Sequence, residues 1–387
     1  MPSEKRYFFG LDIVRFMAAL IVATFHLGFW ATLPGSTPNR TLKEAVDFSA
    51  ISNFAWSGWV GVEVFFVISG FVIAGSAYMT PAWTFLRGRI LRLYPAAWLC
   101  ASITLAVLLV NDQGPLSLLL PRYLHSMSLS PYDNGWGWID GVYWTLQYEI
   151  PFYALVLLTL PLRRFVSLPH IAYLFSVVGG LYIALSLARS SGLYTSELLG
   201  IVETHPYVAL FLQLRYGCFF AVGIWLWVAS TGELTKARTA ALLVALLGAG
   251  GEVFTHANEF IANPHNAGRT PILPIIIFTA AVIIIAALTS AKSKLKISAS
   301  TSKVLRTVGL MTYPFYLLHD IVGAWTIQKL LLAGFNEWVA LVSGIVIIGL
   351  FSLIICRYIE PNMRRALAAI IPRSAEKRNR QPAHASL

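Results

Sequence analysis

The chain has 387 residues, 57% of them hydrophobic and only 12% charged, with a mean hydropathy of +0.67 and a formal net charge of +11. A soluble globular domain, in which about a quarter of the residues are charged, is excluded by that balance. In a chain this apolar, the basic excess bears on membrane orientation and not on nucleic acid.

The first predicted element, LDIVRFMAALIVATFHLGF at 11–29, is long enough to span a bilayer yet carries Asp12, Arg15 and His26. A secretory signal core is shorter and uncharged, and no A-x-A cleavage site follows before Pro34. On a helix, Arg15 and His26 lie about 16 Å apart along the axis and only about 20° apart around it. They share a face with Ala18, Ala19, Val22 and Ala23, a narrow strip suited to lining a cavity for an extended ligand.

Ten spans are predicted in all, at 8–30, 57–79, 91–111, 142–161, 170–189, 206–228, 239–255, 271–290, 308–331 and 338–358. With the N-terminus inside, 21 of the 29 lysines and arginines fall on the inner segments and five on the outer loops, so both termini are expected in the cytoplasm. The predicted fold class is all-α, a polytopic membrane bundle. One membrane domain is expected over 1–371, and 372–387, PRSAEKRNRQPAHASL, reads as a disordered basic cytoplasmic tail. No internal repeat and no inverted pair of broken helices is evident, which weighs against a transporter. Cys100, Cys218 and Cys356 lie apart in apolar runs without ligand spacing, so they read as packing residues and no metal site is indicated.

The spans leave Asp12, Arg15, His26, Glu63, Glu149, Arg215, His319, Asp320 and Lys329 at membrane depth. A charge at a helix centre costs roughly 2.5–3.5 kcal/mol on insertion scales, so these groups must face one another or a wet cavity. His26 and Glu63 fall at similar height near the outer end of their spans, and Glu149, Arg215 and His319 nearer the midplane. The set reads either as a site or as buried pairs that hold helices together. On the inner side, Arg87, Arg89 and Arg92 precede Pro95. Arg89 and Arg92 are helix neighbours whose planar forks suit phosphate, though the same charges serve as membrane anchors. On the outer side, SPYDNGWGWIDGVYW at 130–144 gathers Trp136, Trp138, Tyr143 and Trp144 among glycines. That composition suits either stacking on sugar rings or an interfacial aromatic belt.

Five motifs stand in order: Leu11-Asp12 with Arg15-x10-His26, GVEVFFVISGF at 61–71, Arg89-x-x-Arg92-x-x-Pro95, YWTLQYEIPFY at 143–153 and MTYPFYLLH at 311–319. Together they resemble the acyltransferase 3 family of integral membrane acyltransferases, over essentially the whole chain. The resemblance implies transfer of an acetyl or other short acyl group from cytoplasmic acyl-CoA to a hydroxyl of a cell-surface or exported glycan, such as O-antigen lipopolysaccharide, exopolysaccharide or peptidoglycan. It implies a multi-pass protein of the bacterial inner membrane, acetyl-CoA as donor, a glycan or lipid-linked sugar as acceptor, no metal and no nucleic acid. Arg15 and His26 are then essential, Arg89 and Arg92 engage the donor, and Glu149 contributes to the site. Relatives often carry Val-Glu-Glu where Tyr148 and Ile150 flank Glu149, and longer ones carry an appended extracytoplasmic domain that is not expected here.

The chemistry fits those residues. Histidine is the side chain best suited to take a proton from a hydroxyl at neutral pH, and His26 fills that role, directly or through an acyl-imidazole. A carboxylate is the expected orienting partner. Depth favours Glu63; the resemblance favours Glu149. His319, with Tyr313 and Tyr316, either donates to the thioester oxygen or bonds within the bundle. Asp12 and Arg215 are further candidates. The alternatives are a transporter or exporter of a small anion or acyl group, and a non-catalytic helper in polysaccharide synthesis.

Overall fold

The computed structural model describes residues 8–132, 135–162, 167–193, 197–232, 234–263, 266, 268–290 and 298–372. The basic residues at 163–164 and 292–296 and the predicted tail beyond 372 lie outside them. Among the described residues all regular secondary structure is helical.

Helix α1 (Phe9–Gly28) is followed by two short outer helices, α2 (Thr37–Leu42) and α3 (Ser49–Ala55). The Ser36 hydroxyl caps α2 by accepting the Asn39 N–H at 3.2 Å. A 3-10 turn over Trp56–Val60 leads into α4 (Gly61–Ala77), and α5 (Ala82–Val110) returns with Pro95 inside it. The amphipathic α6 (Leu116–Ser128) precedes a 3-10 turn at Gly141–Tyr143 and α7 (Trp144–Thr159). Then come α8 (Leu168–Ser190), α9 (Glu197–Thr204), α10 (Pro206–Phe211), α11 (Gly217–Thr231), α12 (Lys236–Ile261) and α13 (Ile272–Thr289). The chain closes with α14 (Ala299–Leu318), α15 (Ile321–Leu332), α16 (Glu337–Ile354), a π-helical turn at Ile355–Ile359 and α17 (Glu360–Ile370).

Each predicted span falls on helix, and among the described residues seven helical segments are long and apolar enough to cross a membrane by themselves. Helices α7 and α11 are shorter, at 16 and 15 residues. Two spans predicted as continuous are broken. The span 206–228 opens between α10 and α11, where Gln213 adopts a left-handed φ of 56° and its amide donates to the carbonyls of Tyr148 and Leu210. The span 308–331 opens at His319 and Asp320, and the Asp140 carboxylate accepts the Ile321 N–H at 3.4 Å at the start of α15. Irregular backbone at this depth is tolerated where protein supplies hydrogen bonds, and the residues at the centre of the two breaks, Gln213 and His319 with Asp320, are buried. Helix α12 continues past 255, the predicted end, to Ile261.

Close packing rests on small residues. A Cβ on Gly223 would land on the Val67 carbonyl of α4, and one on Gly70 would land on the Phe220 carbonyl of α11. Glycine at both positions lets the backbones touch, which is how helices associate where apolar solvent removes the hydrophobic drive. The strip of α1 behaves likewise. Ala18, Ala19 and Ala23 are buried, and a Cβ on Gly58 or Gly61 would strike the Ile21 or Ala18 carbonyl. Within the strip expected to line a cavity, Ala18, Ala19 and Ala23 therefore make helix contacts, while its two ends, Arg15 on one side and Val22 with His26 on the other, reach open space.

Candidate active site

Those two ends open into two cavities. The inner one, about 410 Å³, is bounded by Asp12 and Arg15 of α1, Arg89 and Arg92 of α5, Glu149 and Tyr153 of α7, Tyr313 of α14 and Arg364 of α17. The outer one, about 290 Å³, is bounded by His26, Trp59, Glu63, Trp144, Tyr216 and His256. Val62 and Tyr316 belong to both and form the partition.

In the inner cavity, Arg15 donates to Asp12 at 3.3 Å, one turn away on the same helix. The Tyr153 hydroxyl donates to Glu149 at 2.9 Å and lies 3.4 Å from the Ser69 hydroxyl. Arg92 lies over the Tyr313 ring, 5.6 Å from its centroid. Four guanidinium groups thus face one apolar-walled space, an arrangement that attracts a multiply charged anion.

The outer cavity is lined by the His26 and His256 imidazoles, and His319 meets His26 from outside that lining. His319 Nδ1 faces the Tyr316 carbonyl at 2.7 Å and His26 Nδ1 faces the Val22 carbonyl at 3.2 Å. A carbonyl accepts, so both Nδ1 atoms carry the proton. His319 Nε2 then accepts from His26 Nδ1–H, 2.9 Å away, and His26 Nε2 keeps its lone pair. The imidazole that meets His26 is thus that of His319, brought there by the break after α14. Glu149 lies in the other cavity. Glu63 is 1% exposed and faces His256 at 3.6 Å, while Glu63 Oε2, His256 Nδ1 and Trp59 Nε1 are buried without a hydrogen-bond partner.

The remaining candidates spread outward. Trp144 joins the outer cavity, Trp138 stacks on His125 with centroids 4.0 Å apart, and Trp136 is exposed. Tyr316 donates to the Val142 carbonyl at 3.3 Å and Tyr313 to that of Leu93 at 3.4 Å. Arg215 is engaged by Glu252 and by Glu259, the latter at 2.7 Å, and lines neither cavity. His256 and Arg364 are site residues that the sequence reading misses. His256 stands one residue beyond the predicted end of its span at 255, and its signal is the i, i+4 pair with Glu252 on a helix that continues. Arg364 lies past the last predicted span, among residues that read as a positive-inside flank.

A family model described as an acyltransferase domain matches residues 8–357. The chain belongs to this acyltransferase 3 family. It is similar to the "Exopolysaccharide production protein ExoZ" of Rhizobium meliloti (strain 1021), with 36% identity over 140 residues, 34% of this chain and 41% of that one. It is also similar to the "Putative peptidoglycan O-acetyltransferase YrhL" of Bacillus subtilis (strain 168), with 27% identity over 201 residues, 48% of this chain and 26% of that one. The chain thus spans less than half the length of either relative in these matches. No solved structure matches it. The family match includes both α1 and the α14–α15 break, so the paired histidines and the three cavity-lining arginines of α1 and α5, Arg15, Arg89 and Arg92, all fall inside it.

Proposed function

We propose that this acyltransferase 3 member crosses a bacterial inner membrane ten times with both termini in the cytoplasm, and moves a short acyl group from acetyl-CoA or a similar donor to a hydroxyl of a cell-surface or exported glycan. The observation that carries the reading is the division of labour across the Val62 and Tyr316 partition: guanidinium groups on one side, an imidazole with a lone pair on the other. Arg15, Arg89 and Arg92 hold the donor's phosphates, and Glu149 orders the arginine side of the same chamber. Trp59, Trp144 and Glu63 meet the sugar, whose apolar ring faces suit indole and whose hydroxyls suit a buried carboxylate.

In the transfer, His26 Nε2 takes the proton of the acceptor hydroxyl as its oxygen attacks the thioester carbonyl. A C–O bond forms, the C–S bond breaks, and the proton passes from His26 to the departing thiolate to give the free thiol. His319 holds the reacting imidazole in the required tautomer through its Nε2. ExoZ and YrhL are named for exopolysaccharide and peptidoglycan, which supports a polysaccharide acceptor. The test is purified protein in liposomes with labelled acetyl-CoA and a panel of glycans: acyl turnover onto sugar is expected. Anion flux without turnover would replace the reading with transport.

A further inference from the structure

At the inner chamber's mouth the chain returns on itself. The π-helical turn at Ile355–Ile359 redirects the end of α16 so that Glu360, the first residue of α17, is only 3% exposed. One Glu360 oxygen accepts from Arg364 Nη2 and lies 3.6 Å from Arg92 Nη1; the other oxygen is buried without a partner. The far end of α17 is pinned to the start of α5. Arg87 donates to the carbonyls of Ile371 and Ala368 at 3.1 and 3.0 Å, and Trp83 to that of Pro372 at 3.0 Å. These bonds satisfy carbonyls that a helix end leaves open, and they hold Arg364 at a set place beside Arg89 and Arg92.

The three guanidinium groups are short of acceptors. Arg89 Nε, Arg92 Nη1 and Arg364 Nε are buried and make no hydrogen bond, although all three residues line the inner chamber. One carboxylate cannot saturate three forks. A phosphate, with three acceptor oxygens and up to two charges, can. We propose that Arg364 completes with Arg89 and Arg92 a three-arginine site for a phosphate of the acyl donor, and that Glu360 is an internal stand-in for that phosphate, which the donor displaces. The inference rests on the donor reading given above. The same chemistry suits an anionic lipid headgroup, but the chamber that also holds Glu149 and adjoins His26 favours the donor.

Arg364→Lys and Glu360→Gln make the test, because both alter the Arg364–Glu360 pair, the first by losing the fork and the second by losing the charge, yet have opposite expected effects. The full chain is placed in phosphatidylcholine nanodiscs and its affinity for acetyl-CoA and CoA measured by calorimetry, with the melting temperature recorded alongside. Arg364→Lys weakens donor binding about tenfold, the loss expected for one charge-assisted fork. Glu360→Gln tightens it severalfold by removing the competitor. A merely structural pair would move both variants the same way, and that result, or unchanged affinity in either, overturns the proposal. Glu360→Gln is decisive alone if Arg364→Lys does not fold. Repetition with phosphatidylglycerol separates the sources: a variant effect confined to the anionic lipid assigns the arginines to headgroups and also overturns it. Absence of CoA binding in the unaltered chain removes the donor reading itself, whereas normal binding there with unresponsive variants removes only the role of Arg364 and Glu360.

Discussion

His319 Nε2 and His26 Nδ1 lie 2.9 Å apart across 293 positions of sequence, and one proton is shared between the two rings. Because each Nδ1 also faces a backbone carbonyl, the direction of that bond is set by the main chain: His26 donates, His319 accepts. The broken helix end after Leu318 is what carries His319 to this place, so an irregularity of the fold and the tautomer of the proposed base are one fact.

The first prediction separates the two rings. His26→Ala removes the proton acceptor and is expected to lower the rate of transfer by about 10²–10⁴-fold, with membrane insertion unchanged. His319→Ala removes only the group that holds the tautomer, so a smaller loss in kcat is expected, with donor KM unaltered. His319→Gln, whose amide oxygen can accept from His26 Nδ1–H, restores part of it. Steady-state kinetics of the three variants check this; a His319→Ala rate equal to the unaltered chain would remove the pair from the mechanism.

Much of this is legible in the sequence, and the reasons for the remainder are physical. Helical periodicity shows which residues share a face and hydropathy shows how deep they lie, so spacing alone puts Arg15 and His26 on one side of α1. Neither periodicity nor depth says which helix stands opposite. Depth and resemblance point to Glu63 or Glu149 beside His26, yet Glu63 faces His256 and Glu149 accepts from Tyr153. The breaks at Gln213 and His319 carry no glycine or proline at their centre, so an apolar count runs straight through them. Arg364 is hidden by its company, since one arginine of a basic flank looks like any other until the chain folds back.

The second prediction concerns the two carboxylates, which sit in different chambers. Glu149→Gln is expected to raise the donor KM and leave the acceptor KM unchanged, and Glu63→Gln to do the reverse. Each change is expected to be roughly tenfold, as for a charged hydrogen bond worth about 1.5 kcal/mol. Two-substrate kinetics read both constants at once. If both variants moved the same constant, the partition at Val62 and Tyr316 would not divide donor from acceptor.

A third prediction tests shape against charge at α5. Lysine preserves the positive-inside bias but cannot form a two-pronged bond, so Arg89→Lys with Arg92→Lys should keep expression and orientation intact. Donor affinity should still fall at least tenfold, about 1.4 kcal/mol. Direct binding of acetyl-CoA is the measurement. Unchanged binding would return both residues to anchoring and place the donor elsewhere.

The last prediction uses a residue with no chemistry of its own. Gly309 of α14 lines the inner chamber against α1, and a Cβ built there would land on the Asp12 carboxylate. Asp12 is 5% exposed and bonded to Arg15, so it can yield only by carrying the guanidinium with it. Gly309→Ala should therefore act as a mutation of Arg15 at one remove. A single methyl forced into a packed helix contact costs about 1–3 kcal/mol. Here part of that strain is relieved by displacing the Asp12–Arg15 pair from the chamber. The expected result is a several-fold rise in donor KM, with acceptor KM unchanged and a modest drop in melting temperature. Asp12→Ala removes the carboxylate oxygen and carbon that the methyl would strike and leaves only the Cβ, so in the double variant Gly309→Ala should add less than it does in the unaltered chain. Strict additivity of the two changes would show that Gly309 acts through general packing of α1 on α14 and not through the Asp12–Arg15 pair.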